Sequence, residues 1–306
     1  MRVPAAEAAA YGPVGRSPWL DVDWREHQRW ITVEGRPINT IEMGPERAAG
    51  GQTIVFVHGL SGCWCNFLEQ IPVLAREHRV IALDLPGFGS SPMPAACISI
   101  PAYGRTLDAL FGELGIDAAA VVGNSMGGFI GAELAIAFPQ RVERLILVSA
   151  AGISTRPPEK GPNLLPALVR SERVLATCAA YLATKSDGVA RRARLRVATM
   201  SVIVRHPRRL PAPLMAEQLR GSGKPGFLQA LEAILDYDFR ERLPEIACPT
   251  LIVWGDGDRL ISVRDADVFA KLIPGSRKVI FEDTGHMAML ERPAAFNALL
   301  GDFLAA

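Results

Sequence analysis

No stretch of this 306-residue chain approaches the roughly 18 consecutive apolar residues that a bilayer-crossing helix requires, so the sequence offers no candidate membrane span. Charge of one sign is equally missing, since 33 Lys and Arg stand against 32 Asp and Glu. That balance gives no reason to expect nucleic acid or an anionic membrane as the main partner. Cysteine is scarce and odd in number, with five residues at 63, 65, 97, 178 and 248. Such usage suits a reducing compartment better than a disulfide framework, and a cytoplasmic location is expected. Cys63 and Cys65 flank Trp64, but a Cys-x-Cys pair without a second cysteine or histidine cluster is not a zinc site. All five cysteines read as small buried hydrophobes. The stretch from Met1 to Pro18 lacks a continuous hydrophobic region and carries Glu7 within its apolar part. Residues 1–25 therefore read as a flexible leader rather than a secretory signal.

What is present is apolar. A hydrophobic fraction of 49% suffices for a large core, and α/β chains of this length are routinely one unit. Short runs rich in β-branched residues recur at Thr53 to Val57, Val80 to Leu83, Leu145 to Val148, Leu251 to Trp254 and Val279 to Phe281. Each ends in a polar or glycine-containing loop and helical segments lie between them, which predicts a mostly parallel sheet with helices on both faces. One further apolar run, Val121-Val122, breaks into Gly123-Asn124-Ser125-Met126-Gly127-Gly128. Glycine two residues either side of a serine permits a turn so sharp that a Cβ there would strike backbone. The serine hydroxyl then stands above the sheet edge at the N-terminus of the next helix, whose unpaired N–H groups face any oxyanion formed there.

Four separated pieces of sequence resemble the α/β-hydrolase superfamily, from about Trp30 to the C-terminus. They are His58-Gly59-Leu60, Asp84-Leu85-Pro86-Gly87-Phe88-Gly89, the Gly-x-Ser-x-Gly turn at 123–127, and Gly285-His286. The resemblance implies that Ser125 is the nucleophile and His286 the general base, in the order nucleophile, acid, histidine. Of the other histidines, His27, His78 and His206 lie away from the predicted catalytic edge, and His58 braces the loop it begins. Trp254-Gly255-Asp256-Gly257-Asp258 offers two carboxylates on one loop. The resemblance favours Asp258 as the group that orients the imidazole, Asp256 reads as a turn aspartate, and Asp283 stands third. The amides of Leu60 and Met126 are the implied oxyanion donors.

About a hundred residues separate the strand ending at Ala150 from the one starting at Thr250, far more than a connection needs. Leu164, Leu168, Leu175 and Leu182, and then Phe227, Leu231, Ile234 and Leu235, recur at helical spacing, punctuated by Pro157-Pro158, Pro211, Pro213 and Gly221 to Gly226. In the resembling family this position carries a helical cap. The expected organisation is a core over 26–151 and 241–306 with a cap over 152–240. Arg191, Arg192, Arg194, Arg196, Arg205, Arg208 and Arg209 fall within that cap and read as a solvated helix face.

The expectation that follows is a serine hydrolase acting on small carboxylic esters, with no metal and no organic cofactor. A carbon–carbon bond hydrolase of meta-cleavage type is the alternative. Those enzymes also resemble Gly-Asn-Ser-Met-Gly-Gly, and Asn66 near Trp64 is similar to their ketone-binding loop, although Met287 stands where they commonly carry tryptophan. A non-catalytic binding protein on the same fold is the second alternative.

Overall fold

A computed structural model describes residues 1–4, 11–45, 52–154 and 184–306. Nine strands form one sheet in the order β1-β9-β8-β7-β6-β4-β5-β3-β2. The strands are β1 (Arg2–Val3), β2 (Gln28–Val33), β3 (Arg36–Met43), β4 (Thr53–Val57), β5 (Arg79–Leu83), β6 (Ala119–Asn124), β7 (Val142–Val148), β8 (Thr250–Gly255) and β9 (Arg277–Phe281). All pairings are parallel except β2 with β3 and β3 with β5.

The central strands are short apolar runs because both their faces are covered. Alternate residues enter opposite cores: Val55, Val57, Val121, Leu145 and Ile252 point to one side, and Ile54, Phe56, Val122, Ile146 and Val253 to the other. The first side is sealed by the helices Ile100–Glu113 and Met126–Ala137, the second by Pro293–Ala305. Ile100–Glu113 starts where it does because Ser99 Oγ accepts from Ala102 N–H at 3.2 Å and Pro101 fills the first turn.

Sequence order reverses between β4 and β6, neighbours whose onward connections go to opposite sides of the sheet. Such a switch point leaves a crevice beyond the carboxyl ends of the strands. The loops after β4 and β6, which begin with His58 and Ser125, open into it.

Between β7 and β8 the described chain forms four α-helices, Ser186–Arg191, Ala193–Met200, Ala212–Arg220 and Phe227–Asp236. The leucines at 164, 168, 175 and 182, the Pro157-Pro158 pair and Cys178 lie outside the described residues. No helix among the described residues is long and apolar enough to cross a membrane.

Two expectations require correction. The described part of 1–25 is not a free leader: Arg2 and Val3 pair with Ile280 and Phe281, and Tyr11 and Trp19 are buried. Ser17 Oγ and Trp19 Nε1 both donate to Glu69 Oε1, at 2.7 and 2.8 Å. Two isolated aromatics with polar tips anchor the segment, and neither contributes a periodic pattern visible in sequence. The second correction concerns cysteine. Cys63 and Cys65 are buried as expected but are joined as a disulfide across the turn at Trp64, and Cys97 is exposed.

Candidate active site

Ser125 adopts φ +56° and ψ −118° between β6 and the helix Met126–Ala137. A non-glycine residue in that conformation stores about 1–3 kcal/mol and persists only where its surroundings fix it. Here its N–H donates to Val148 O at 2.9 Å, while its carbonyl accepts from Phe129 N at 3.1 Å and Ala151 N at 3.0 Å. The flanking glycines are obligatory: a Cβ on Gly123 would collide with Gly127 O, and one on Gly127 with Val57 O. Met126, first residue of the helix, has no intrahelical acceptor for its N–H. Leu60 lines the same cavity as Ser125, and its N–H has no hydrogen-bond partner among the described residues.

His286 Nδ1 lies 2.8 Å from Asp258 Oδ2, with both side chains buried. Asp258 is itself held, its Oδ1 accepting from Leu260 N at 2.8 Å and Ile261 N at 3.0 Å. One oxygen is thus fixed to backbone and the other is left for the imidazole. Asp256, two residues earlier, is exposed. Asp283 is turned away toward Arg205 Nε at 3.3 Å and His206 Nε2 at 2.8 Å. These contacts outweigh its partial burial and hold the Asp283 carboxyl below the usual carboxylate range.

His58 is fully buried. Its Nε2 accepts from Leu85 N at 3.0 Å, which leaves Nδ1 as the donor to Gly59 O at 2.8 Å. Burial pushes this imidazole below its ordinary value and keeps it neutral, against the pull of the Asp84 charge. His58 thereby braces the loop carrying Leu60, as expected from sequence. Asp84 holds that loop from beneath through Trp64 N at 2.9 Å and ties it to β3 through Asn39 Nδ2 at 2.8 Å.

Ser125, His286, Leu60, Asn66 and Asn124 meet around one cavity of about 680 Å³, a volume suited to a small-molecule ligand. Most of its apolar lining comes from the inserted helices, with Phe227, Leu231, Ile234 and Leu235 all facing it. Its polar end is an amide pair: Asn66 Nδ2 donates to Gln218 Oε1 at 2.6 Å, and Gln218 Nε2 to Cys65 O at 3.0 Å. Of the arginines read as a solvated face, Arg191, Arg192, Arg194, Arg208 and Arg209 are exposed, whereas Arg196 and Arg205 are half-buried and hydrogen-bonded. Sequence reasoning missed Asn124, whose Nδ2 reaches Val148 O at 3.1 Å and His286 O at 3.3 Å and so links the end of β6 to the loop carrying His286. It missed Gln218 and Glu291 as well. No local pattern marks these residues: the partners of Asn124 and Gln218 lie far away in the chain, and those of Glu291 are mostly main-chain amides.

A family model described as alpha/beta hydrolase fold matches residues 52–293. A 2-hydroxy-6-oxononadienedioate/2-hydroxy-6-oxononatrienedioate hydrolase from Cupriavidus pinatubonensis is 32% identical over 292 residues, covering 90% of this chain and 94% of that protein. The Paraburkholderia xenovorans protein of the same name is 33% identical over 277 residues, covering 84% and 88%. Among solved structures, the enol-lactonase from Burkholderia xenovorans LB400 superposes with a TM-score of 0.71 at 25% identity, covering 91% of this chain and all of that one. The compounds in the two relatives' names carry a hydroxyl, a ketone and carboxylates but no ester. The expectation of carboxylic ester hydrolysis is overturned by these relatives, which match the carbon–carbon alternative instead. Local motifs pointed both ways: Gly-Asn-Ser-Met-Gly-Gly and Asn66 resemble the carbon–carbon hydrolases, whereas Met287 departs from them. The fold, the matched model and the relatives agree that this chain belongs to the α/β-hydrolase family.

Proposed function

We propose that this protein hydrolyses the carbon–carbon bond beside a ketone in a small hydroxy-oxo-dienoate, a reaction of meta-cleavage type. The observation that carries this reading is the 32–33% identity, over most of both chains, to hydrolases named for such substrates. In this reading Ser125 Oγ attacks the ketone carbon and its proton passes to His286 Nε2. Asp258 holds the ring through the 2.8 Å contact at Nδ1 and stabilises the imidazolium. The amides of Leu60 and Met126 receive the oxyanion. For that bond to break, the enol must already have passed to its 2-oxo tautomer, the hydroxyl proton lost and one gained on the carbon beside the ketone; collapse then sends the bond's electron pair through the remaining C=C into the 2-oxo group, and the resulting dienolate takes up the proton from His286. Water, activated by the same imidazole, then frees the carboxylic acid. The net change is one water consumed, with one acid and one protonated carbon fragment formed.

The cavity supports this assignment by its division. Beside Ser125 the amides of Asn66 and Gln218 offer a polar end to the oxygenated part of such a substrate, and the apolar lining suits the remainder. The test is spectrophotometric: incubation with a 2-hydroxy-6-oxo-dienoate should bleach the conjugated enol absorbance and release one equivalent of acid, and Ser125→Ala should abolish both. An unchanged spectrum from wild-type protein that a fluorophosphonate still labels at Ser125 would reject the carbon–carbon reading while keeping the nucleophile.

A further inference from the structure

Glu291 is completely buried within five residues of His286 and has no part in the chemistry described above. Every partner of its carboxylate is a donor. Oε1 accepts from Gly285 N at 3.0 Å and Met287 N at 3.2 Å, while Oε2 accepts from Gly285 N at 2.9 Å, Arg205 N at 2.8 Å and Tyr11 Oη at 2.6 Å. Gly285 and Met287 are the two residues that bracket His286. The backbone N–H of His286 itself donates to Ile203 O at 3.0 Å, on the same inserted segment as Arg205. Three consecutive amides of the histidine loop are therefore fixed, two by one carboxylate and the middle one by the insertion.

We infer that Glu291 is a positioning residue for His286, a buried anionic clamp that locks the base loop to the inserted segment at Arg205 and to the N-terminal arm at Tyr11. An uncharged apolar side chain of similar volume would pack there without the desolvation cost that a buried carboxylate carries. What such a side chain could not do is accept from four donors converging from three parts of the chain. Tyr11 completes the arrangement: its hydroxyl donates to Glu291 and accepts from His206 N at 2.8 Å, and the guanidinium groups of Arg209 and Arg292 each lie over its ring, 5.1 Å from the centroid. Arg292 in turn bonds Thr284 Oγ1 at 3.1 Å and Glu282 O at 3.0 Å, so the loop is gripped on its N-terminal side too. Burial pushes the Glu291 carboxyl above its ordinary range against the pull of these donors.

This inference rests on His286 being the base, and its test uses the rate of fluorophosphonate labelling at Ser125, which requires the nucleophile and base but no carbon–carbon substrate. Glu291→Gln replaces one acceptor oxygen with an NH2 group that faces N–H donors, so the loop must move. Displacements of about 1 Å at a base cost on the order of 10²-fold, and the maximal labelling rate should fall about 10- to 100-fold with the reagent's half-saturating concentration unchanged. The low-field proton resonance of the His286–Asp258 hydrogen bond should shift or broaden. Tyr11→Phe removes one donor and should lower the same rate about 3- to 10-fold, with the low-field proton resonance displaced in the same sense as in Glu291→Gln. If Glu291→Gln does not fold, Tyr11→Phe decides the matter. Labelling within two-fold of wild type and an unmoved proton resonance, in whichever variant folds, would overturn the clamp. Retained labelling in His286→Ala would instead overturn the assignment of the base.

Discussion

At the scale of single residues, Asp258 divides its two oxygens between backbone and imidazole, and the division is what makes it a directional partner. Asp258→Asn would preserve volume but present the wrong group or impose the wrong tautomer on His286. Turnover should fall about 10⁴-fold, whereas Asp256→Asn, at an exposed position, should stay within two-fold; steady-state rates on one substrate compare the two. Gly127→Ala drives a methyl into Val57 O, and labelling at Ser125 should disappear. Ser125 and His286 stand out in the sequence because their markers are local: a glycine-flanked serine and a histidine after the last strand. The choice between Asp256 and Asp258 was not legible there, since residues two apart on one loop differ only in which one turns inward. Folding decides that through the Asp256 N–H, which is taken by Phe281 O at 3.0 Å, and the paired amides that close around Asp258. Glu291 was invisible for a stronger reason, as three of its four donors are main-chain amides and leave no mark in residue identity.

At the scale of elements, β4, β5, β7, β8 and β9 announce themselves as short apolar runs, the signature of strands covered on both faces. The N-terminal arm does not, because it is held by a few long-range contacts rather than by a periodic face. Trp19 is its main anchor, and Trp19→Ala also leaves Glu69 without one of its two donors. Removing a buried tryptophan costs about 3–5 kcal/mol, and urea unfolding should show a loss of that order. A free leader would show none. The helix Phe227–Asp236 was legible by its spacing and its place over the cavity was implied by the family resemblance, but which of its side chains line the cavity was not, since periodicity identifies an apolar face without saying what it covers.

At the scale of the whole molecule, near-neutral composition conceals buried groups that tie stability to pH. His58 is kept neutral by burial, with its value pushed below the ordinary 6.5. The unfolded chain takes up a proton at this residue near pH 6.5, and the folded chain resists it until lower pH. Stability is therefore whole above about 6.5 and is lost as pH falls from there toward the folded value. The thermal midpoint should drop between pH 7 and pH 5, with a shallower drop in His58→Asn. Asp283 acts in a separate and more acidic window, because its folded value is depressed: its contribution is intact above the ordinary carboxylate range and fades below it. The pairing of β1 with β9 joins Arg2 to Ile280, and Tyr11 reaches Glu291 across a comparable span. Because Tyr11 and Glu291 stand 280 positions apart, an arm synthesised early waits for a partner synthesised much later before it finds its seat. The loop bearing His286 therefore stays without part of its grip on the nascent polypeptide until the whole stretch between those two residues has been made.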